Sequence, residues 1–231
     1  MWWRSVIVNG TALQPDPTGV LHWAEARLIA VADLHLGKGK AFARHGSLLP
    51  PHDTNATIRR LAEAITRLEP ECVVCLGDSF HDREAVSGLD QASLAALEDL
   101  ARGRDWIWIA GNHDPAPPAM LSGRAMEAFT NGRLTFRHEP SCAMVAGEVS
   151  GHLHPSAVIA PKGTRIRRRC FASDGRRVIL PAFGAYAGGL DVHERAFSGL
   201  FPAGFDVWLV GGREMRRIRG NRLVRPAWIE S

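Results

Sequence analysis

Short apolar runs that close on polar clusters recur along this chain. Leu28 to Ala32 is apolar and stops at Asp33, with His35 two positions on. Cys72 to Leu76 stops at Gly77-Asp78, and Trp106 to Ala110 stops at Gly111-Asn112-His113-Asp114. Leu134 to Phe136 leads to His138, and Met144 to Val149 leads to Gly151-His152-Leu153-His154. Runs of this length and composition predict buried strands. Ser5 to Val8 and Val20 to Ala24 predict two earlier strands, separated by a loop at Pro15 and Pro17. Asp53 or Thr54 caps a helix of about 14 residues, with Ile58, Leu61, Ala62, Ile65 and Leu68 on one face. Ala92 to Ala101 predicts a second helix, with Leu94, Leu97 and Leu100 near one stripe. Beyond His154 the texture changes. Ile166 to Phe171, Val178 to Leu180, Val207 to Val210, Met215 to Ile218 and Leu223 to Val224 are short strand-like runs punctuated by arginines. The front half alternates strands and helices and the back half is mostly strands, so the pattern predicts an α/β chain.

Length and composition narrow this picture only modestly. The chain has 231 residues, 45% of them apolar, enough for a sizeable core in one domain spanning 1–231. Charge is uneven. Residues 1–150 carry 14 Lys and Arg against 18 Asp and Glu, whereas residues 151–231 carry 14 against 6. A basic C-terminal third suits an anionic partner such as nucleic acid, or simply a solvated basic surface. Cys72 and Cys75 form a Cys-x-x-Cys pair, but in a strand residues three apart face opposite ways, which argues against both a zinc half-site and a redox motif. Four scattered cysteines suit a reducing compartment. The apolar run within Met1 to Gly10 is too short for a secretory signal, and no stretch has the length of a membrane span. The expectation is a cytoplasmic protein with no membrane partner; nothing in the sequence fixes its oligomeric state.

The five polar clusters carry the chemistry. In open α/β sheets ligands bind beyond the carboxyl ends of the strands, so five such ends in one sheet region converge on one pocket. Asp33 and His35 alternate, which in an extended segment places both side chains on one side. Taken singly, each cluster is a turn or a surface histidine. Taken together they supply seven metal-ligand candidates: Asp33, His35, Asp78, Asn112, His138, His152 and His154. With Asp78 bridging, one ion takes Asp33, His35, Asp78 and His154, and a second takes Asp78, Asn112, His138 and His152. Mixed imidazole, carboxylate and amide ligation suits two divalent ions of Mn, Fe or Zn better than Mg or Ca. Two such ions clamp an in-line displacement at phosphorus and generate hydroxide near neutral pH. His113 is left over to protonate the leaving oxygen as general acid, and Asp114 is placed to fix its tautomer. Gly37-Lys38-Gly39-Lys40 follows directly, and Lys38 and Lys40 are candidates to contact substrate phosphate, although the spacing is not that of a P-loop. His22, His45, His52 and His193 match no ligand position, and Trp106 and Trp108 read as core.

Asp33-Leu-His35, Gly77-Asp78, Gly111-Asn-His-Asp114 and Gly151-His-Leu-His154 resemble, in order, the motifs of the calcineurin-like metallophosphoesterases. That resemblance implies a four-layer α/β/β/α sandwich of two facing mixed sheets, and the metal assignments just given. One position departs from the pattern: the second motif usually ends in Asp, and here His81 stands there. A narrower resemblance rests on Asp33-Leu-His-Leu-Gly-Lys38, the Gly46-to-Pro51 segment, His138-Glu-Pro140, Gly151-His-Leu-His-Pro155, Leu180-Pro-Ala-Phe-Gly184 and Gly188-Gly-Leu190. These are similar to the bacterial ligase-associated DNA damage response endonucleases of the PdeM type. The likeness implies a Mn-dependent phosphodiesterase acting on DNA, with an ATP-dependent DNA ligase and a helicase as partners in repair.

Two basic runs agree with a DNA substrate: Lys162, Arg165, Arg167, Arg168 and Arg169, and then Arg213, Arg216, Arg217, Arg219, Arg222 and Arg225. Phe183 and Tyr186 are candidate base-stacking residues, with core packing the better reading of Phe183. The expected activity is therefore a two-metal DNA phosphodiesterase. The alternatives are a phosphatase or phosphodiesterase of nucleotides or nucleotide-sugars, and a metal-binding scaffold without catalysis.

Overall fold

The computed structural model of the chain describes residues 5–39, 42, 53–81, 89–114, 121–212 and 215–226. Two sheets face each other. The first has the order β1 (Val6–Val8), β2 (Thr11–Pro15), β3 (Leu21–Trp23), β4 (Leu28–Val31), β5 (Cys72–Leu76), β6 (Asp105–Ile109), β7 (Arg124–Met126). Its first four strands meander antiparallel, and β4 to β7 run parallel. The parallel half carries helix α1 (Asp53–Leu68) before β5 and helix α2 (Gln91–Ala101) before β6. The second sheet contains β8 (Ala128–Asn131), β9 (Leu134–Arg137), β10 (Glu148–Ser150), β11 (Pro155–Ile159), β12 (Ile166–Ser173), β13 (Arg177–Ile179), β14 (Leu190–Asp191), β15 (Asp206–Leu209) and β16 (Arg216–Arg219). In it β9, β10 and β13 are parallel, β12 runs against β13, and the β15–β16 hairpin pairs with β12.

Alternation along the strands sorts the core into layers. Ala30, Val74, Leu76, Ile107 and Ile109 pack inward against Leu134, Phe136, Val149, Phe171 and Val178 of the facing sheet. The opposite face of the first sheet, through Ile29, Val31, Val73, Trp106 and Trp108, packs under Ile58, Leu61, Ile65 and Leu97 of the helices. The cysteine argument holds: Cys72 joins the layer between the sheets, Cys75 the layer under the helices, and all four cysteines are free. The outer face of the second sheet is covered by Val192, Phe197, Leu200, Phe201 and Leu223. Among the described residues this fourth layer is built from loops and short 3-10 turns at Arg195–Phe197 and Gly220–Arg222 rather than from an α-helix. Among the described residues no helix is long and apolar enough to cross a membrane.

Several elements differ from the pattern reading. Met144 to Gly147 is irregular, with Met144 exposed, and only Glu148–Ser150 forms the strand. Leu223 and Val224 form no strand; Leu223 instead closes the outer core. Thr11–Pro15 is a strand although Pro15 lies in it. It is the last strand residue, where the missing N–H costs no ladder bond. Strands β7, β8, β11 and β14 were not anticipated.

Candidate metal centre

All the candidate ligands lie just beyond strand ends on one side of the two sheets. Asp33 and His35 follow β4, Asp78 follows β5, Asn112 and His113 follow β6, His138 follows β9, and His152 and His154 follow β10. The two sheets are joined at this end by a parallel bridge between Ala32 and Ala182.

The ligand atoms gather in two groups. Asp33, His35 and His154 form one, and Asp78, His138 and His152 the other; within each, the donor atoms lie within 4.8 Å of one another. In the first, His154 Nε2 is 3.2 Å from Asp33 Oδ1 and 3.4 Å from His35 Nε2. Burial, with a smaller contribution from neighbouring His154, pushes the His35 imidazole down to about 4, so the ring is neutral at pH 7 and its lone pair is free for a cation. In the second group, His138 Nδ1–H donates to the Leu76 carbonyl at 2.8 Å, which leaves Nε2 facing Asp78 Oδ2 at 3.5 Å and His152 Nδ1 at 3.2 Å. Burial and the adjacent His138 hold His152 below the usual imidazole range. A carboxylate and two imidazoles per group fit a divalent ion of the Mn, Fe or Zn kind.

The backbone delivers these side chains in an unexpected way. Asp33 and His35 do not converge by strand alternation. They sit past the strand end with φ of +54° and +44°, and Asp78, His152 and His154 are also left-handed, at +46°, +67° and +47°. Glycines before the ligands make room. A Cβ on Gly77, itself at φ +74°, would lie 2.5 Å from His138 Nδ1, and one on Gly111 would collide with Asp78 and lie 2.6 Å from Asp114 Oδ1.

The ligand loops also brace one another. Asp33 accepts from His152 N at 3.0 Å, and Asp78 Oδ1 accepts from His113 N at 2.9 Å. Asp114 is buried, and its Oδ2 accepts from Ser79 N and Phe80 N at 2.8 and 3.1 Å. Among the described residues no hydrogen bond joins it to the His113 ring. The expected tautomer-fixing contact is replaced by a brace under the Asp78 loop. Burial, only partly offset by those amides, pushes the Asp114 carboxyl up to about 7. The His113 side chain is 51% exposed, with Nε2 3.9 Å from Asp78 Oδ2. Its ring stacks on His81, the unusual residue of the second motif, with centroids 5.8 Å apart.

Asn112 is exposed and lies at the edge of the second group. Its Nδ2 donates to Glu139 Oε1 at 2.6 Å, turning its amide oxygen free. The same Glu139 oxygen is 3.7 Å from His152 Nε2. Glu139 thus touches two candidate ligands of one ion. Sequence reasoning missed this role; the only available signal was its position next to His138. Lys38 is half-buried beside the first group, and burial lowers its ammonium pKa. Lys40, His45, His52 and Arg213 lie outside the described residues. His193 is bound to Asp191 at 2.9 Å, and His22 lies on β3. Phe183 is fully buried, as expected, while Tyr186 is exposed.

Paired Asp/His groups at the carboxyl ends of two facing mixed sheets fit a dinuclear metal-dependent phosphoesterase. The calcineurin-like phosphoesterase family matches residues 26–175, and the chain belongs to it. Among solved structures it is similar to the nuclease MPE of Pseudomonas putida, at 29% identity and TM-score 0.70, over 90% of this chain and 96% of that one. A weaker likeness, at 12% identity and TM-score 0.41, is to Yfce, a phosphoesterase from E. coli, over 83% of this chain and 97% of that one. No curated protein matches the sequence.

Proposed function

We propose that this metal-dependent phosphoesterase is a phosphodiesterase that hydrolyses DNA, acting in the cytoplasm in DNA repair alongside an ATP-dependent ligase and a helicase. The observation that carries the reading is the pair of Asp/His groups, with the His152 and His154 rings partly exposed and Lys38 half-buried beside the first group. The nuclease match supports a nucleic acid substrate, and the sequence resemblance supports DNA and the repair setting. Asp33, His35 and His154 would hold one ion; Asp78, His138 and His152, with the Asn112 amide, would hold the other. Manganese is the proposed metal. When bound, two such ions supply Lewis-acid charge around the phosphate and lower the pKa of water at the site. His113 stands exposed beside Asp78 and delivers a proton to the leaving oxygen. Lys38 meets a substrate phosphate at the rim.

The test is hydrolysis of bis-p-nitrophenyl phosphate and of a labelled oligonucleotide by metal-stripped protein, with Mn, Fe or Zn restored, beside Asp78→Ala and His113→Ala. The reading expects Mn-dependent cleavage of both substrates and its loss in both variants. Cleavage of the diester without cleavage of DNA transfers the chemistry to a small-molecule phosphodiester. Metal binding without any hydrolysis leaves a scaffold.

A further inference from the structure

The hairpin β11–β12 carries its charge at the metal end of the molecule. In strand register Ser150 of β10 is level with Ile179 of β13, which is level with Ala172 of β12. β12 runs against β10, so residues before Ala172 extend in the direction in which β10 delivers His152. Ile166 lies six residues before Ala172, about 20 Å of strand. The hairpin therefore starts at Pro155, next to His154, and continues beyond the strand end that positions the metal ligands. Lys162, Arg165 and Arg168 are exposed along it. No Asp or Glu occurs in the sequence between Glu148 and Asp174, and no ion pair joins these three to a described residue.

The root of the hairpin is bolted to the site. Arg169 Nη1 donates to the carbonyls of Ala182 and Gly184 at 2.9 and 3.0 Å, and Arg167 donates to Ser156 Oγ at 2.8 Å and to the Gly189 carbonyl. The segment they grip is tied to both ends of the first metal group: Gly184 N donates to the Asp33 carbonyl at 3.0 Å and Leu190 N to the His154 carbonyl at 3.2 Å. Val224 N backs the hairpin through the Val158 carbonyl at 2.9 Å. The second basic run is placed differently. Arg219 is level with Asp206 and Ser173, at the far end of β12, Arg217 is paired with Asp206, and Arg216, level with Leu209 and Cys170, lies between that end and the hairpin.

We infer that the β11–β12 hairpin is a fixed cationic arm that holds the DNA backbone to one side of the scissile bond, through Lys162, Arg165 and Arg168. This rests on the DNA reading above and adds to it which cations face the substrate. Three exposed cations rooted beside the metal-ligand groups, with no acid among them, suit successive phosphates.

The test compares two triple variants of equal charge loss, Lys162→Gln/Arg165→Gln/Arg168→Gln and Arg133→Gln/Arg176→Gln/Arg219→Gln, the second set exposed at the end of the sheet opposite the ligands, in Mn-loaded protein with unchanged melting temperatures. The hairpin variant should raise KM for a labelled oligonucleotide by about tenfold to fiftyfold at 0.15 M salt, and make the dependence of log(kcat/KM) on log salt shallower by roughly 2 to 3. Its hydrolysis of bis-p-nitrophenyl phosphate and its metal content should equal wild type. The far-end variant should change each quantity by less than about threefold. Equal losses in both variants, or an unchanged salt slope in the hairpin variant, overturn the assignment while leaving DNA cleavage intact. A wild type that cuts the diester and no DNA removes the DNA reading, and the arm with it.

Discussion

Removing the Glu139 carboxylate tests the least conspicuous part of the site. Glu139→Ala deletes the acceptor of the Asn112 amide, 2.6 Å away, and the negative charge 3.7 Å from His152 Nε2. Both partners then lose orientation. Asn112 rotates freely at an exposed position, and His152 loses the group that directs its Nε2 proton away from the ion. Such outer partners contribute tenfold to a hundredfold in metal affinity, about 1.4 to 2.7 kcal/mol. The Glu139 side chain is 55% exposed, so water replaces part of what is lost and the effect should fall near the lower figure. The assay is calorimetric titration of chelator-stripped protein with Mn. Wild type should bind two ions; in Glu139→Ala one should weaken about tenfold and the other, held by Asp33, His35 and His154, should not change. Glu139→Gln keeps an acceptor for Asn112 and should fall between. Two ions bound by Glu139→Ala with wild-type affinities would refute the reasoning, and equal weakening of both would show general disruption instead.

Gly111→Ala should lower diester hydrolysis by a hundredfold or more and stability by about 1 to 3 kcal/mol, because its Cβ meets Asp78 and Asp114. Gly188→Ala, where a Cβ meets nothing within 4 Å, is the matched control and should leave both unchanged. The Asp114 carboxyl, raised to about 7, predicts a pH effect in chelated protein. A raised carboxyl pKa stabilises the fold fully below about 4, and that contribution is lost as pH rises through 7. Relative to Asp114→Asn, wild type should therefore lose up to about 4 kcal/mol across that window. Parallel melting curves against pH would refute it. Phe183→Ala removes a fully buried ring lying 4.2 Å from the Arg60 guanidinium and should cost about 3 to 5 kcal/mol by urea unfolding.

The sequence was most legible where burial and chemistry coincided. Leu28 to Ala32 and Cys72 to Leu76 are buried on both faces, so they read as unbroken apolar runs, and their polar ends marked the site. Legibility failed where that coupling was absent. Met144 is apolar but exposed, so it mimicked a strand. Arg124–Met126 and Ala128–Asn131 are strands with few buried residues, and so carry no periodic signal. Asp114 and Glu139 were hard to assign because their roles depend on partners distant in the chain: Ser79 and Phe80 for one, Asn112 and His152 for the other. The two basic runs looked equivalent in sequence, and only strand register shows that the first extends past the metal end while the second reaches the far end at Arg219.

The left-handed backbone at the site gives the motifs a second physical cause. Asp and His serve as ligands, and with Asn they are also among the non-glycine residues enriched at positive φ. At Asp33, His35, Asp78, His152 and His154 the same residue types answer both demands, so Asp-x-His, Gly-Asp and Gly-His-x-His reflect backbone as much as metal chemistry. Each such residue costs about 1 to 3 kcal/mol and persists only when its surroundings fix it. The fixing groups are the ligand carboxylates themselves: Asp33 accepts from His152 N across the two sheets, and Asp78 accepts from His113 N between neighbouring loops. Replacing Asp33 by Ala therefore removes one donor to an ion and also the link that holds the facing sheet's His152 loop in its strained form. Replacing it by Asn keeps the acceptor for His152 N while removing the charge. The difference in stability between Asp33→Ala and Asp33→Asn in metal-free protein isolates the structural role of the carboxylate, and the loss common to both in Mn affinity isolates the ligand role.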